Sequence, residues 1–85
     1  MATKSFKARV FVTLKNGVLD PQGKAIEGAL SSLSFGGVDQ VRQGKIFDVE
    51  LTADSQKSAT ESLSKMCEKL LADTVIEDYS VEISS

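Results

Sequence analysis

Apolar and polar residues alternate with period two from Phe6 to Leu14, with Phe6, Ala8, Val10, Val12 and Leu14 on one face and Lys7, Arg9, Phe11 and Thr13 on the other. Successive side chains of a strand point to opposite sides, so this pattern predicts a strand with one buried face. Beyond Asp20-Pro21, Ala25, Ile26, Ala29, Leu30 and Leu33 recur at helical spacing, which predicts a first helix ended by Gly36-Gly37. From Val38 to Leu51 the chain reads as extended, with Phe47, Val49 and Leu51 facing one way and Ile46, Asp48 and Glu50 the other. Gly44 interrupts that stretch and is read as a bend in one long strand. Asp54, Ser55 and Ser58-Ala59-Thr60-Glu61 offer starts for a second helix with the apolar stripe Ala59, Leu63, Met66, Cys67, Leu70 and Leu71. This helix should stop near Asp73-Thr74, before a last strand in which Tyr79, Val81 and Ile83 alternate with polar residues.

The expected fold is therefore α+β, a two-layer β-α-β-α-β domain over residues 1–85. Its small antiparallel sheet carries two helices on one face and a long bent middle strand. A hairpin at Gln43-Gly44 would instead give a full ferredoxin-like arrangement. Two helices cover one side of a small sheet, so the other side must face solvent or a partner. That side would carry Arg9, Phe11, Ile46, Asp48, Ile76 and Asp78, and these residues are the expected face of a homodimer or higher homo-oligomer.

Composition narrows the chemistry. A domain of 85 residues buries only about 60 to 65% of the surface its unfolded chain exposes, which makes association attractive. The single Cys67 excludes an intramolecular disulfide framework and suits a reducing, cytoplasmic setting. No apolar run has the length of a membrane span, and no signal peptide is expected. A net charge of −2 argues against nucleic acid, which needs a clustered basic surface; Lys4, Lys7, Arg9 and Lys15 read instead as ion-pair partners. Histidine is absent, which removes the commonest general base and metal ligand.

No motif supplies a catalytic, cofactor or metal site. Gly17 to Lys24 fails as a phosphate loop: five residues separate Gly17 from Gly23, Ala25 stands where a Ser or Thr is needed, and Asp20 adds negative charge. Cys67 lies on the apolar stripe and reads as a small buried hydrophobe. Glu77 and Asp78 are neighbours on a strand, so their carboxylates diverge. In the joint Lys15-Asn16-Gly17-Val18-Leu19-Asp20-Pro21-Gln22-Gly23-Lys24, Asp20 suits a helix cap and Pro21 the first helical position. Gly23 has no local reason, since glycine in the first turn costs about 1 kcal/mol relative to alanine unless something approaches the backbone.

That joint, with Val41-Arg42-Gln43-Gly44-Lys45 and the run from Met66 to Tyr79, closely resembles the PurS small-subunit family of bacterial phosphoribosylformylglycinamidine (FGAM) synthase. The likeness runs from about Phe6 to Ile83. It implies a non-catalytic assembly subunit of a glutamine-dependent ligase of purine biosynthesis. As a whole that enzyme converts formylglycinamide ribonucleotide, glutamine, ATP and water into FGAM, glutamate, ADP and phosphate. It further implies synthetase (PurL-type) and glutaminase (PurQ-type) partner subunits, with ATP and Mg held by the synthetase. Within the three strings, Lys15, Gly17, Asp20, Gln22, Gly23, Arg42, Gly44, Lys45, Glu77 and Tyr79 are the expected contacts with those partners. A stand-alone dimeric domain that senses a small molecule is the alternative reading of the same fold.

Overall fold

Strand β1 spans Lys4–Leu14 and is the middle of a three-stranded antiparallel sheet whose order is β2-β1-β3, with β2 at Gly44–Ala53 and β3 at Glu77–Ser84. The computed structural model describes residues 3–84. Helix α1 spans Pro21–Ser32 and α2 spans Gln56–Met66; α2 runs on into a π-helical turn at Cys67–Leu71. The expected class and element order hold, and the described residues form three strands rather than the four of a ferredoxin-like sheet.

The period-two pattern sets the register. Val10 lies opposite Phe47 on β2 and Val81 on β3, and Ala8 lies opposite Val49 and Ile83, so apolar side chains align in rows across one face. Against these rows pack Leu63 and Cys67, both fully buried, with Ala72 closing the cluster. Ser55 caps α2, its hydroxyl accepting the Ser58 N–H at 3.1 Å.

Three details differ from the sequence reading. The second strand in sequence, expected to be long and bent, is neither: β2 begins at Gly44, and residues 38–43 are irregular. Gly44 is therefore the strand's first residue, and a side chain there would meet the Val12 carbonyl oxygen at 2.6 Å. Met66 and Leu70 leave the apolar stripe and are exposed. For Leu70 the π turn is the cause, because the Ala72 N–H bonds the Cys67 carbonyl five residues back. The extra residue brings Ala72 rather than Leu70 to the core.

The third difference concerns α1, which does not join α2 on the sheet. Gly23 is its only buried residue, while Ile26 and Leu33 of its apolar stripe are exposed. The radius of gyration is 16.9 Å, against about 12 Å for a compact domain of this length. The long axis measures 58 Å, well beyond the roughly 36 Å reach of an 11-residue strand. The helix ends at Ser32, before the expected Gly36-Gly37. Ser34 takes the left-handed conformation (φ 71°), with Ser34 N–H bonding the Ser31 carbonyl and Phe35 N–H the Leu30 carbonyl. This is a Schellman stop made with serine in the place usually held by glycine.

Candidate functional site: the end of the sheet at the β1–α1 joint

Asp20 organises the joint. It is 5% exposed; its Oδ1 accepts the Gly23 N–H at 2.9 Å and its Oδ2 accepts the Gln43 N–H at 2.6 Å. One oxygen caps α1 and the other ties residues 41–43 across the first helical turn. Bonds from Gln43 and then Gly23 favour the charged form and hold the carboxyl below its ordinary pKa, with the Arg42 guanidinium adding to the effect.

The same crossing explains Gly23. A side chain there would run into the Val41 carbonyl oxygen and lie 2.9 Å from Asp20 Oδ2. The close approach comes from this chain's own 41–43 segment. That segment has two further anchors. Arg42 donates to the carbonyls of Val18 (2.8 Å) and Lys15 (3.1 Å), and the Val41 N–H donates to Glu27 Oε2 (2.9 Å). Glu27 does not stand out in the sequence; its spacing from Lys24, 3.5 Å away, signals only an ordinary helix ion pair.

The fold gathers the ten residues expected to meet partners at one end of the sheet. Asp20, Gln22, Gly44, Lys45 and Glu77 line one open groove of about 650 Å³. Arg42 grips the turn that contains Lys15 and Gly17, Gly23 lies beside Asp20, and Tyr79 sits opposite Val12 within the apolar layer. They are not equally available. Asp20 and Gly23 are buried in holding the joint, whereas Gln22 and Lys45 are exposed on the groove. Lys45 Nζ stands 3.7 Å from Glu77 Oε2, whose other oxygen accepts the Asp73 N–H at 2.7 Å. Glu77 and Asp78 do diverge: Asp78 turns to the opposite face and meets Lys15 Nζ at 2.6 Å.

That opposite face carries the residues expected between copies. Arg9 lies opposite Asp48 and Phe11 opposite Ile46, with Arg9 Nε to Asp48 Oδ1 at 2.9 Å. Both ion pairs are solvent-exposed and screened, so they contribute little to stability. Ile46 is exposed, and Ile76 precedes β3, its carbonyl accepting the Lys15 N–H. Burial pushes the Cys67 thiol above its ordinary pKa, so it stays protonated and unreactive. Among the described residues no cluster of three potential metal ligands forms, and no helix is long and apolar enough to cross a membrane.

The chain and its fold are similar to known proteins. The chain is 49% identical over 79 residues to the FGAM synthase subunit PurS of Bacillus subtilis, covering 92% of each. It is 44% identical over 81 residues to the PurS of Synechocystis, covering 95% of this chain and 81% of that one. Among solved structures, Methanocaldococcus jannaschii PurS superposes with a TM-score of 0.84 at 38% identity, covering 94% of this chain and 96% of that one. A chain of the PurLQS structure from Thermotoga maritima superposes with a TM-score of 0.87 at 33% identity, covering 95% and 99%. A family model described as PurS, phosphoribosylformylglycinamidine (FGAM) synthase, matches residues 7–85. With that match spanning nearly the whole chain, the chain belongs to the PurS family of FGAM synthase subunits.

Proposed function

We propose that this chain is a non-catalytic assembly subunit of FGAM synthase, holding a PurL-type synthetase and a PurQ-type glutaminase together so that ammonia passes between them without escaping to water. The observation that carries this reading is the likeness, at 95% coverage of this chain, to a chain of the PurLQS structure. ATP and Mg belong to the synthetase partner, and the cytoplasm is the setting. The buried, protonated Cys67 fits a subunit that leaves glutamine hydrolysis to a cysteine on another chain. The sheet-end groove, with Gln22 and Lys45 on its rim, is the contact for a larger subunit, and the face carrying Phe11 and Ile46 is a contact between copies. The likeness to PurS chains does not favour an isolated sensing domain.

Reconstitution of the synthase with and without this chain tests the proposal. Omission should depress glutamine-supported turnover far more than ammonia-supported turnover. Equal loss of both would mean that the chain supports the synthetase fold instead.

A further inference from the structure

Helix α1 leaves the end of the sheet with Gly23 as its only buried residue, so its direction has to come from polar ties. Those ties are not equivalent. The Asp20 carboxylate caps the first turn and also accepts the Gln43 N–H, while Arg42 grips the turn ahead of the helix through the carbonyls of Val18 and Lys15. All four bonds lie at or before the first turn of α1, where they fix a pivot. Among the described residues, only the Glu27 carboxylate ties the helix down beyond that turn: its Oε2 accepts the Val41 N–H at 2.9 Å.

Helix geometry gives that single bond its leverage. From Asp20 to Glu27 the axis rises roughly 10 Å, and the 12 residues of α1 span about 18 Å. A swing of about 20° around the pivot would therefore carry the far end of the helix by about 6 Å. The Val41 end of the bond does not yield, because its segment is anchored on both sides: Arg42 is bonded to the β1–α1 turn, and Gly44 opens β2. The Glu27 side chain is 20% exposed, which keeps away much of the water that would compete for the Val41 N–H. A carboxylate acceptor also makes the bond a charge-assisted one, stronger than a neutral bond.

We infer that Glu27 is a positioning residue, whose bond to Val41 sets the angle of α1 to the sheet and thereby the register in which the subunits of the synthase pass ammonia. The inference rests on the bridging role proposed above. The groove offered to a larger subunit is lined by Asp20, Pro21 and Gln22, the cap and first residues of the same helix, so the angle of α1 decides what surface stands beside it. Productive transfer between two sites is sensitive to displacements of about 1 Å even when they originate far from the chemistry. Glu27 touches neither substrate nor reacting atoms; it acts through the helix it holds.

Reconstitution of the full synthase with Glu27→Ala and Glu27→Gln chains tests this. Glu27→Ala removes the acceptor, and glutamine-supported turnover should fall by about tenfold or more. Ammonia-supported turnover should hold, and the glutamate released for each FGAM formed should rise above the stoichiometric value. Glu27→Gln keeps a carbonyl oxygen for the Val41 N–H and should restore most of the coupling, which a role for the charge alone would not allow. Spin labels at Ser31→Cys and Glu61→Cys, on chain diluted with unlabelled chain, read the helix angle directly while the buried Cys67 stays unlabelled. The parent and Glu27→Gln should give one narrow distance, and Glu27→Ala a broad distribution. Parental coupling or a parental distance in Glu27→Ala overturns the inference, as does equal loss of both turnovers. The parental chain keeps the two readings apart: if its omission leaves glutamine-supported turnover intact, the bridging role fails, whereas if omission depresses that turnover and Glu27→Ala does not, this inference alone fails. Should Glu27→Ala not fold, Val41→Pro deletes the same bond from the donor side and decides by the same measurements.

Discussion

The two ends of this molecule are held by different forces. At the α2 end, Val10, Val12, Leu63 and Cys67 are fully buried against one another, and apolar contact does the holding. At the α1 end almost nothing apolar is buried, and α1 keeps its place through carboxylate, guanidinium and backbone hydrogen bonds. Dispersion and the hydrophobic effect act through area and tolerate no cavity, whereas hydrogen bonds act through direction and fix an angle. The lesson is that this chain uses packing to be folded and polar ties to aim a helix.

The contrast is most open to attack at its cores. Leu63→Ala should destabilise the chain by about 3 to 5 kcal/mol in urea unfolding, since a fully buried leucine leaves a cavity. Leu33→Ala, measured on dilute chain, should move the same transition by less than about 0.5 kcal/mol. Similar losses at both positions would mean that the stripe of α1 is covered within one chain.

Two glycines of α1 sharpen the picture with opposite signs. Gly23→Ala forces a methyl onto the Val41 carbonyl and should destabilise by about 1 to 3 kcal/mol. Gly28→Ala meets nothing within 4 Å and should stabilise by up to about 1 kcal/mol, as alanine does in an exposed helix interior. Equal thermal shifts in one direction would refute the close crossing of residues 41–43.

The two helix caps separate next. Ser55→Ala removes one exposed bond and should lose about 1 kcal/mol, and Asp20→Asn should lose more, because Asp20 serves two segments. Asp20 also sets a pH dependence. Its folded pKa is depressed, so its contribution is complete above the unfolded carboxylate value of about 4. That contribution disappears as the pH falls through the folded value. Urea midpoints for the parent should therefore drop below about pH 4 more steeply than those of Asp20→Asn; parallel curves would remove the carboxylate from the joint. A gain rather than a loss is expected of Ser34→Gly, which relieves a left-handed serine and should raise stability by about 0.5 to 1 kcal/mol in thermal unfolding.

Much of the molecule is legible in its sequence. The alternation of β1 identifies its buried face residue by residue, and Asp20-Pro21 locates the start of α1. The three family strings mark residues that the fold gathers at one sheet end. Less is legible where one residue's insertion changes the register. The π turn sends Leu70 outward and brings Ala72 in, although Leu70 suits the stripe equally well at helical spacing. The Schellman stop at Ser34 comes ahead of the glycines that advertise one.

Periodicity and caps are local properties, and they determined which segments are strands and helices and which face of each is apolar. Where α1 points, why Gly23 lacks a side chain, and what Asp20 binds with its second oxygen were decided only by tertiary structure. Those outcomes depend on residues 41–43 returning across the joint, some twenty positions along the chain, and no local pattern encodes a contact whose partner is set by the path of the backbone between.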